Sequence, residues 1–233
     1  MNLLSFIIFT VALQTLTNYN EKLKTYSVKK ITGTLNHSGK GDDPVWASAY
    51  ELADFDYPWE KDTPPPTKFR ALHNDDWLYV LFEVHDPNVN ILQDKNDKSE
   101  VASSSRAEIF FKRDDKLTPY YCLEIDPLAR VLDYEGTYHR KFDLNWNWPV
   151  GHIVVKTGKI IDGYTVELAI SKSSLNGLGL LKGNILETGL YRADCSVNTA
   201  GNYTFKWISW IKPDSKTPDF HIPSSFGILR LEE

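Results

Sequence analysis

Residues 68 to 84 read KFRALHNDDWLYVLFEV, and the fold turns on how that run divides. Asn74, Asp75 and Asp76 are turn formers between two runs rich in aromatic and branched side chains, the pattern of a β-hairpin. In WLYVLFEV (77 to 84) both alternating sets are apolar, so this strand is expected to be covered on both faces. Outward from the hairpin the signal repeats. RAEIFFK (106 to 112), YYCLEI (120 to 125), RVLDYEGTY (130 to 138), HIVVKT (152 to 157), YTVELAI (164 to 170), LYRADCSV (190 to 197), FKWISW (205 to 210) and FGILRL (226 to 231) all read as strands. Helical periodicity is confined to SKSSLNGL (171 to 178). Many short strands with turns between them predict an all-β fold, an antiparallel β-sandwich of jelly-roll or immunoglobulin-like kind with at most short helices.

The chain of 233 residues is long enough for one large sandwich. The domain is expected over 31–233, with 18–30 as a lead-in and KDTPPPTK (61 to 68) as a proline-stiffened loop inside it. Residues 1–17, MNLLSFIIFTVALQTLT, have the shape of a signal-peptide core, so a secreted or periplasmic location is expected. No later segment is long and apolar enough to span a bilayer. The net charge of −5 and the lack of a basic tract argue against nucleic acid, whose backbone needs Lys and Arg. Cys122 and Cys195 show no metal-site spacing, and alternation places them on opposite faces, which argues against a bridge.

Alternation also sorts the charges. In RAEIFFK the apolar set is Ala107, Ile109 and Phe111, leaving Arg106 and Glu108 opposite. In YYCLEI, Tyr121, Leu123 and Ile125 go inward, leaving Glu124 out. In LYRADCSV, Tyr191, Ala193, Cys195 and Val197 are read as inward, leaving Arg192 and Asp194. If these strands are neighbours, Arg106, Glu108, Glu124, Arg192 and Asp194 form one patch of opposite charges. Such forks of donors and acceptors suit vicinal hydroxyls. DLNWNWP (143 to 149) places Trp146 and Trp148 two apart, on one face if the segment is extended. With Tyr138 they are expected to make an aromatic shelf for the CH face of a sugar ring; the alternative is that they fill the core.

The ordered series DDPVW (42 to 46), DDWLYVLFEVHD (75 to 86), SSSRAEIFFK (103 to 112), YTVELAISKSSL (164 to 175), YRADC (191 to 195) and PDFHIPSSFGILRL (218 to 231) resembles the family 9 carbohydrate-binding modules and their free-standing relatives. The resemblance covers nearly all the chain after Ile31. It implies a β-sandwich that binds an oligo- or polysaccharide without catalysis, often with structural calcium and in the service of polysaccharide breakdown. Position by position, Arg106 and Glu108 match one ligand-side strand and Arg192 and Asp194 a second. Trp146 and Trp148 fall where the family varies. The degrading enzyme is then expected as a separate partner.

Calcium needs several oxygen ligands, and the loop DPNVNILQDKNDKSE (86 to 100) offers Asp86, Asp94 and Asp97, without EF-hand spacing. A polar turn is the competing reading of that loop. Two other functions are weighed against a binder. A glycoside hydrolase, or an accessory subunit of one, needs two carboxylates, for which Glu108, Glu124, Glu135 and Asp194 are available, although adjacent arginines would keep them ionised. An electron-transfer sandwich would hold haem through one of His37, His73, His85, His139, His152 and His221.

Overall fold

The structure, a computed structural model, describes residues 23–233, so the apolar run 1–17 lies outside the described residues. Its strands are β1 (Thr25–Lys30), β2 (Thr67–His73), β3 (Trp77–His85), β4 (Arg106–Lys112), β5 (Tyr120–Ile125), β6 (Val131–Thr137), β7 (Lys141–Asp143), β8 (Ile153–Ile160), β9 (Gly163–Ser171), β10 (Ile185–Val197), β11 (Tyr203–Ser209) and β12 (Gly227–Leu231). One short helix, α1 (Lys172–Gly177), follows β9. No helix among the described residues is long and apolar enough to cross a membrane.

The 68–84 run forms the expected hairpin. The Asn74 side chain accepts from the backbone N–H of Asp76 (2.9 Å) and Trp77 (2.7 Å), and β2 pairs β3 from Thr67↔Val84 to His73↔Leu78. The all-β sandwich is present: one layer runs β2-β3-β9-β8, the other β7-β6-β5-β4-β10-β12, with β11 also on β10. β1 joins them, lying parallel to β12 through Thr25–Val28 and to β2 through Lys29 and Lys30. The sheet system therefore begins at Thr25, inside the expected lead-in, and its two β1 pairings are the parallel exception to an antiparallel fold.

Three apolar layers result. Between the sheets lie Phe69, Phe82, Ile109, Phe111, Leu123, Val166, Leu168 and Leu190, all fully buried. Each such side chain stabilises the fold by about 1.5–3 kcal/mol relative to exposure. Outside the first sheet, Trp46, Leu72, Tyr79, Leu81 and Ala169 form a second cluster, which explains why β3 is apolar on both faces. The third lies outside the other sheet, where Phe110, Tyr120, Cys122, Tyr134 and Tyr191 are covered by Phe220 and Phe226 of the chain before β12. Gly189 permits this cover, since a Cβ there would stand 1.9 Å from the Tyr191 hydroxyl. The face read as a charged patch is thus a second interior, and a small cavity is cut into its edge.

Candidate functional site

Arg106 and Glu108 on β4, and Glu124 on β5, point to this outer face as alternation predicts. Glu108 and Glu124 are direct cross-strand partners. Arg106 Nε lies 2.9 Å from Glu108 Oε1 and 2.6 Å from Glu124 Oε2, while the Tyr134 hydroxyl donates to Glu124 Oε1 at 2.7 Å. Arg106 Nη1 donates to the carbonyls of Ala102 (3.1 Å) and Ser104 (3.2 Å). Its guanidinium carbon sits 5.5 Å from the ring centres of both Phe205 and Trp207 on β11. A cation so enclosed is fixed in place before any ligand arrives.

This triad floors a small cavity of about 90 Å³ whose walls are Trp59, Trp207, Phe220, His221, Arg140 and Asp219. Trp59 arrives because the chain pairs with the β11 edge at Asp56↔Ser209 and then crosses it. Its indole donates to the Ser215 carbonyl (2.9 Å) and packs 5.3 Å from Phe220. Phe220 stacks on Tyr191 at 4.1 Å and meets Trp207 edge-on at 5.8 Å. Asp219 is held by His139 Nε2 (2.8 Å) and Arg140 Nη1 (3.0 Å) from the turn between β6 and β7.

Two groups of the cavity titrate abnormally. Burial, reinforced by the neighbouring Glu124 charge and opposed by Arg106, pushes the Glu108 carboxyl up to about 8. The expectation that arginine keeps this acid ionised is therefore overturned, because desolvation and a like charge outweigh one cation. His221, stacked on Phe110 and 2.9 Å from the Tyr120 hydroxyl, is lowered to about 3 by burial and then by the Arg140 charge. Since its value in the fold lies below the ordinary 6.5, its neutral form contributes stability that is complete above that pH and is lost as pH falls toward 3. The melting temperature of His221→Gln is therefore expected to drop less than that of the unaltered protein between pH 7 and 4. Parallel curves over that range would contradict this.

The other predicted residues are placed differently. Tyr191 pairs with Glu108 and Arg192 with Ala107, so Tyr191 shares the floor's face and Arg192 points between the sheets. Arg192 is fully buried there, 3.3 Å from Asp86 and 3.8 Å from Asp194, whose other oxygen accepts from the Tyr57 hydroxyl (3.0 Å). Arg192 and Asp194 thus leave the expected patch. Both faces of β10 are interior, so hydrophobicity did not mark which was which, and reading it one residue out of phase exchanged the faces.

The tryptophan shelf is also corrected. Trp148 is 3 % exposed, donating from Nε1 to Ser174 (3.0 Å) and packed among Phe111, Tyr121 and the half-buried Trp146. Residues 146–149 are irregular, and a buried ring is where most tryptophan surface is stabilised. Tyr138 is 52 % exposed on the β6–β7 turn, outside the cavity wall.

Asp86, Asp94 and Asp97 do not fit a cation. Asp86 serves Arg192, and Asp97 caps the turn at 98–103 by accepting from Ser99 N (2.9 Å). The Glu100 carboxylate, which accepts from the N–H groups of Asp94, Lys95 and Asn96 and from Arg130, closes the loop as a polar turn. No group of three or more His, Cys, Asp or Glu is poised for a metal among the described residues. Cys122 and Cys195 are free and buried, though on the same face rather than opposite ones. Sequence reasoning missed Trp59, Arg140, Trp207, Asp219 and Phe220, and weighed His221 only as a haem ligand. Their only signal was that aromatic and charged residues interrupt two proline-containing loops, one strand and the β6–β7 turn.

A family model described as carbohydrate family 9 binding domain-like matches residues 38–233. No curated protein matches the sequence. Among solved structures, a candidate carbohydrate-binding protein from Bacteroides uniformis is similar at TM-score 0.70 and 19% identity, over 91% of this chain and 100% of that one. A family 9 carbohydrate-binding module from Caldicellulosiruptor kristjanssonii is similar in its complex with cellotriose (TM-score 0.58, 18% identity, 90% and 94% covered) and in that with glucose (0.56, 19%, 90% and 96%). With the fold, the enclosed polar floor and this match over most of its length in agreement, the chain belongs to the carbohydrate family 9 binding domain-like family, a family of non-catalytic carbohydrate-binding modules.

Proposed function

We propose that the cavity floored by Arg106, Glu108 and Glu124 and walled by Trp59, Trp207 and Phe220 is where this protein holds a saccharide, without transforming it. The observation that carries this reading is a buried polar triad at the bottom of an aromatic-walled cavity. A sugar ring has hydroxyls that need fixed donors and acceptors and CH faces that rest on aromatic rings, and both are offered here on rigid strands. Glu108 and Glu124 are one adjacent pair sharing one arginine, not two acids placed on either side of a bond. In this reading the protein works in polysaccharide utilisation, secreted or periplasmic, beside a separate degrading enzyme.

Glucose and cellotriose, bound in two structures of similar fold, are the first probes. Tryptophan fluorescence is expected to shift saturably with at least one neutral sugar. Trp207→Ala should weaken that binding by about tenfold or more, since losing one well-packed aromatic contact costs roughly 1–2 kcal/mol. A folded protein that responds to no sugar in a broad panel would remove the proposal.

A further inference from the structure

The loop between β3 and β4 is closed around a cation, and that cation is an arginine from elsewhere in the chain. Arg130, at the end of the turn between β5 and β6, donates from Nε to Asp126 (2.8 Å), from Nη1 to Glu100 (2.7 Å) and from Nη2 to the Leu92 carbonyl (2.6 Å). Both acids are buried. Glu100 Oε1 also accepts from the N–H groups of Asp94 (2.7 Å) and Lys95 (2.6 Å), and Oε2 from that of Asn96 (2.8 Å). The Glu100 carbonyl accepts from the Ser104 hydroxyl (2.9 Å), whose oxygen accepts in turn from the Leu92 N–H (3.0 Å). Fixed in this way, the turn at 98–103 presents the carbonyls of Ala102 and Ser104 to Arg106 Nη1 at 3.1 and 3.2 Å.

We propose that Arg130 is a positioning residue for the sugar site: as the internal cation of the 86–104 loop, in place of a metal, it holds the turn whose carbonyls orient Arg106 at the cavity floor. This rests on the saccharide reading of the cavity. Arg106 is gripped from two sides. Glu108 and Glu124, near its Nε, stand on paired strands, whereas the carbonyls at Nη1 belong to a loop outside the sheet, so the guanidinium is only as well fixed as that loop. A guanidinium suits the task because its rigid fork meets three acceptors at once, which the point charge of an ammonium does not. A divalent cation in the same place would need Glu100 oxygens that four donors already occupy.

The test is calorimetry with glucose and cellotriose on the full chain, read beside the NMR signal of the Arg106 Nε–H. Arg130→Gln is expected to weaken whichever sugar binds by about tenfold and to shift or broaden the Arg106 signal, although it alters no residue of the cavity. Arg130→Lys should recover only part of either. Trp148→Ala, a core truncation that lowers stability, is the control and should leave both readings as they are. Removing calcium with EDTA and adding it back should also leave both unchanged in the unaltered protein. If Arg130→Gln does not fold, Glu100→Gln takes its place with the same expectation. Unchanged affinity with an unmoved Arg106 signal would overturn the proposal while leaving the cavity reading intact. So would an equal loss in Trp148→Ala, or an affinity that EDTA abolishes and calcium restores. If neither sugar binds the unaltered protein, the role in sugar binding falls with the saccharide reading, and the Arg106 signal alone then decides whether Arg130 positions that side chain.

Discussion

Arg106→Ala is expected to destabilise the protein by about 3–5 kcal/mol, because removing one partner of a buried ion pair leaves its acids uncompensated. Arg106 is 5 % exposed, and both Glu108 and Glu124 depend on it for a counter-charge. The effect should depend on pH in a defined direction. Glu108, raised to about 8 in the fold, adds stability that is complete below its ordinary 4.5 and is lost as pH climbs through 8. In Arg106→Ala that acid protonates more readily still, so the deficit should be smaller at pH 6 than at pH 8.5. Adding Glu108→Gln should restore part of it. Urea midpoints at the two pH values measure all of this, and a loss below about 1 kcal/mol at pH 8.5 would mean the triad is solvated rather than buried.

Strand positions were legible because the physics that sets them is local. The Asn74 turn is made by one side chain bonding its own following backbone, and β4 and β5 have one face of pure apolar residues, so period-two reading put Arg106, Glu108 and Glu124 on the correct side. What failed was long-range. The cover of residues 211–226 over the outer face turns that side into an interior, and nothing in RAEIFFK shows that a segment a hundred residues later lies on it. β10 shows the same limit, because Tyr191 under Phe220 and Arg192 against Asp86 are equally buried and only the pairing with β4 separates them.

The site was half legible for the same reason. Its floor comes from adjacent strands and follows from alternation, whereas its walls come from loops that meet only in three dimensions: Trp59 through the Asp56↔Ser209 bridge, and Asp219 through His139 and Arg140. The loop at 86–100 illustrates the converse. Its acids suggested a cation by composition, but Asp94 and Asp97 stay exposed while Glu100 takes three backbone N–H groups and an arginine, which closes the loop as a hydrogen-bonded turn.

Trp148→Ala should cost about 3–5 kcal/mol of stability, the range for an aromatic side chain deleted from a packed core. The ring touches Phe111 and Tyr121 of the central layer, its indole N–H is spent on Ser174, and its backbone N–H donates to Asp133 at 2.6 Å. The truncation therefore opens a cavity and leaves the Ser174 hydroxyl without one of its partners. Trp146→Ala should cost clearly less, since that ring is half-buried and rests on Tyr121 and Trp148 from outside. Neither change touches the wall of the cavity proposed to hold sugar, so molecules that remain folded should bind the cognate sugar as before. Trp207→Ala should do the opposite, weakening binding with a smaller effect on the unfolding midpoint. Pairing urea unfolding with calorimetric titration across the three variants separates a core tryptophan from a ligand-facing one. A Trp148→Ala protein of undiminished stability that no longer bound sugar would restore the DLNWNWP segment as the binding shelf and displace the cavity described here.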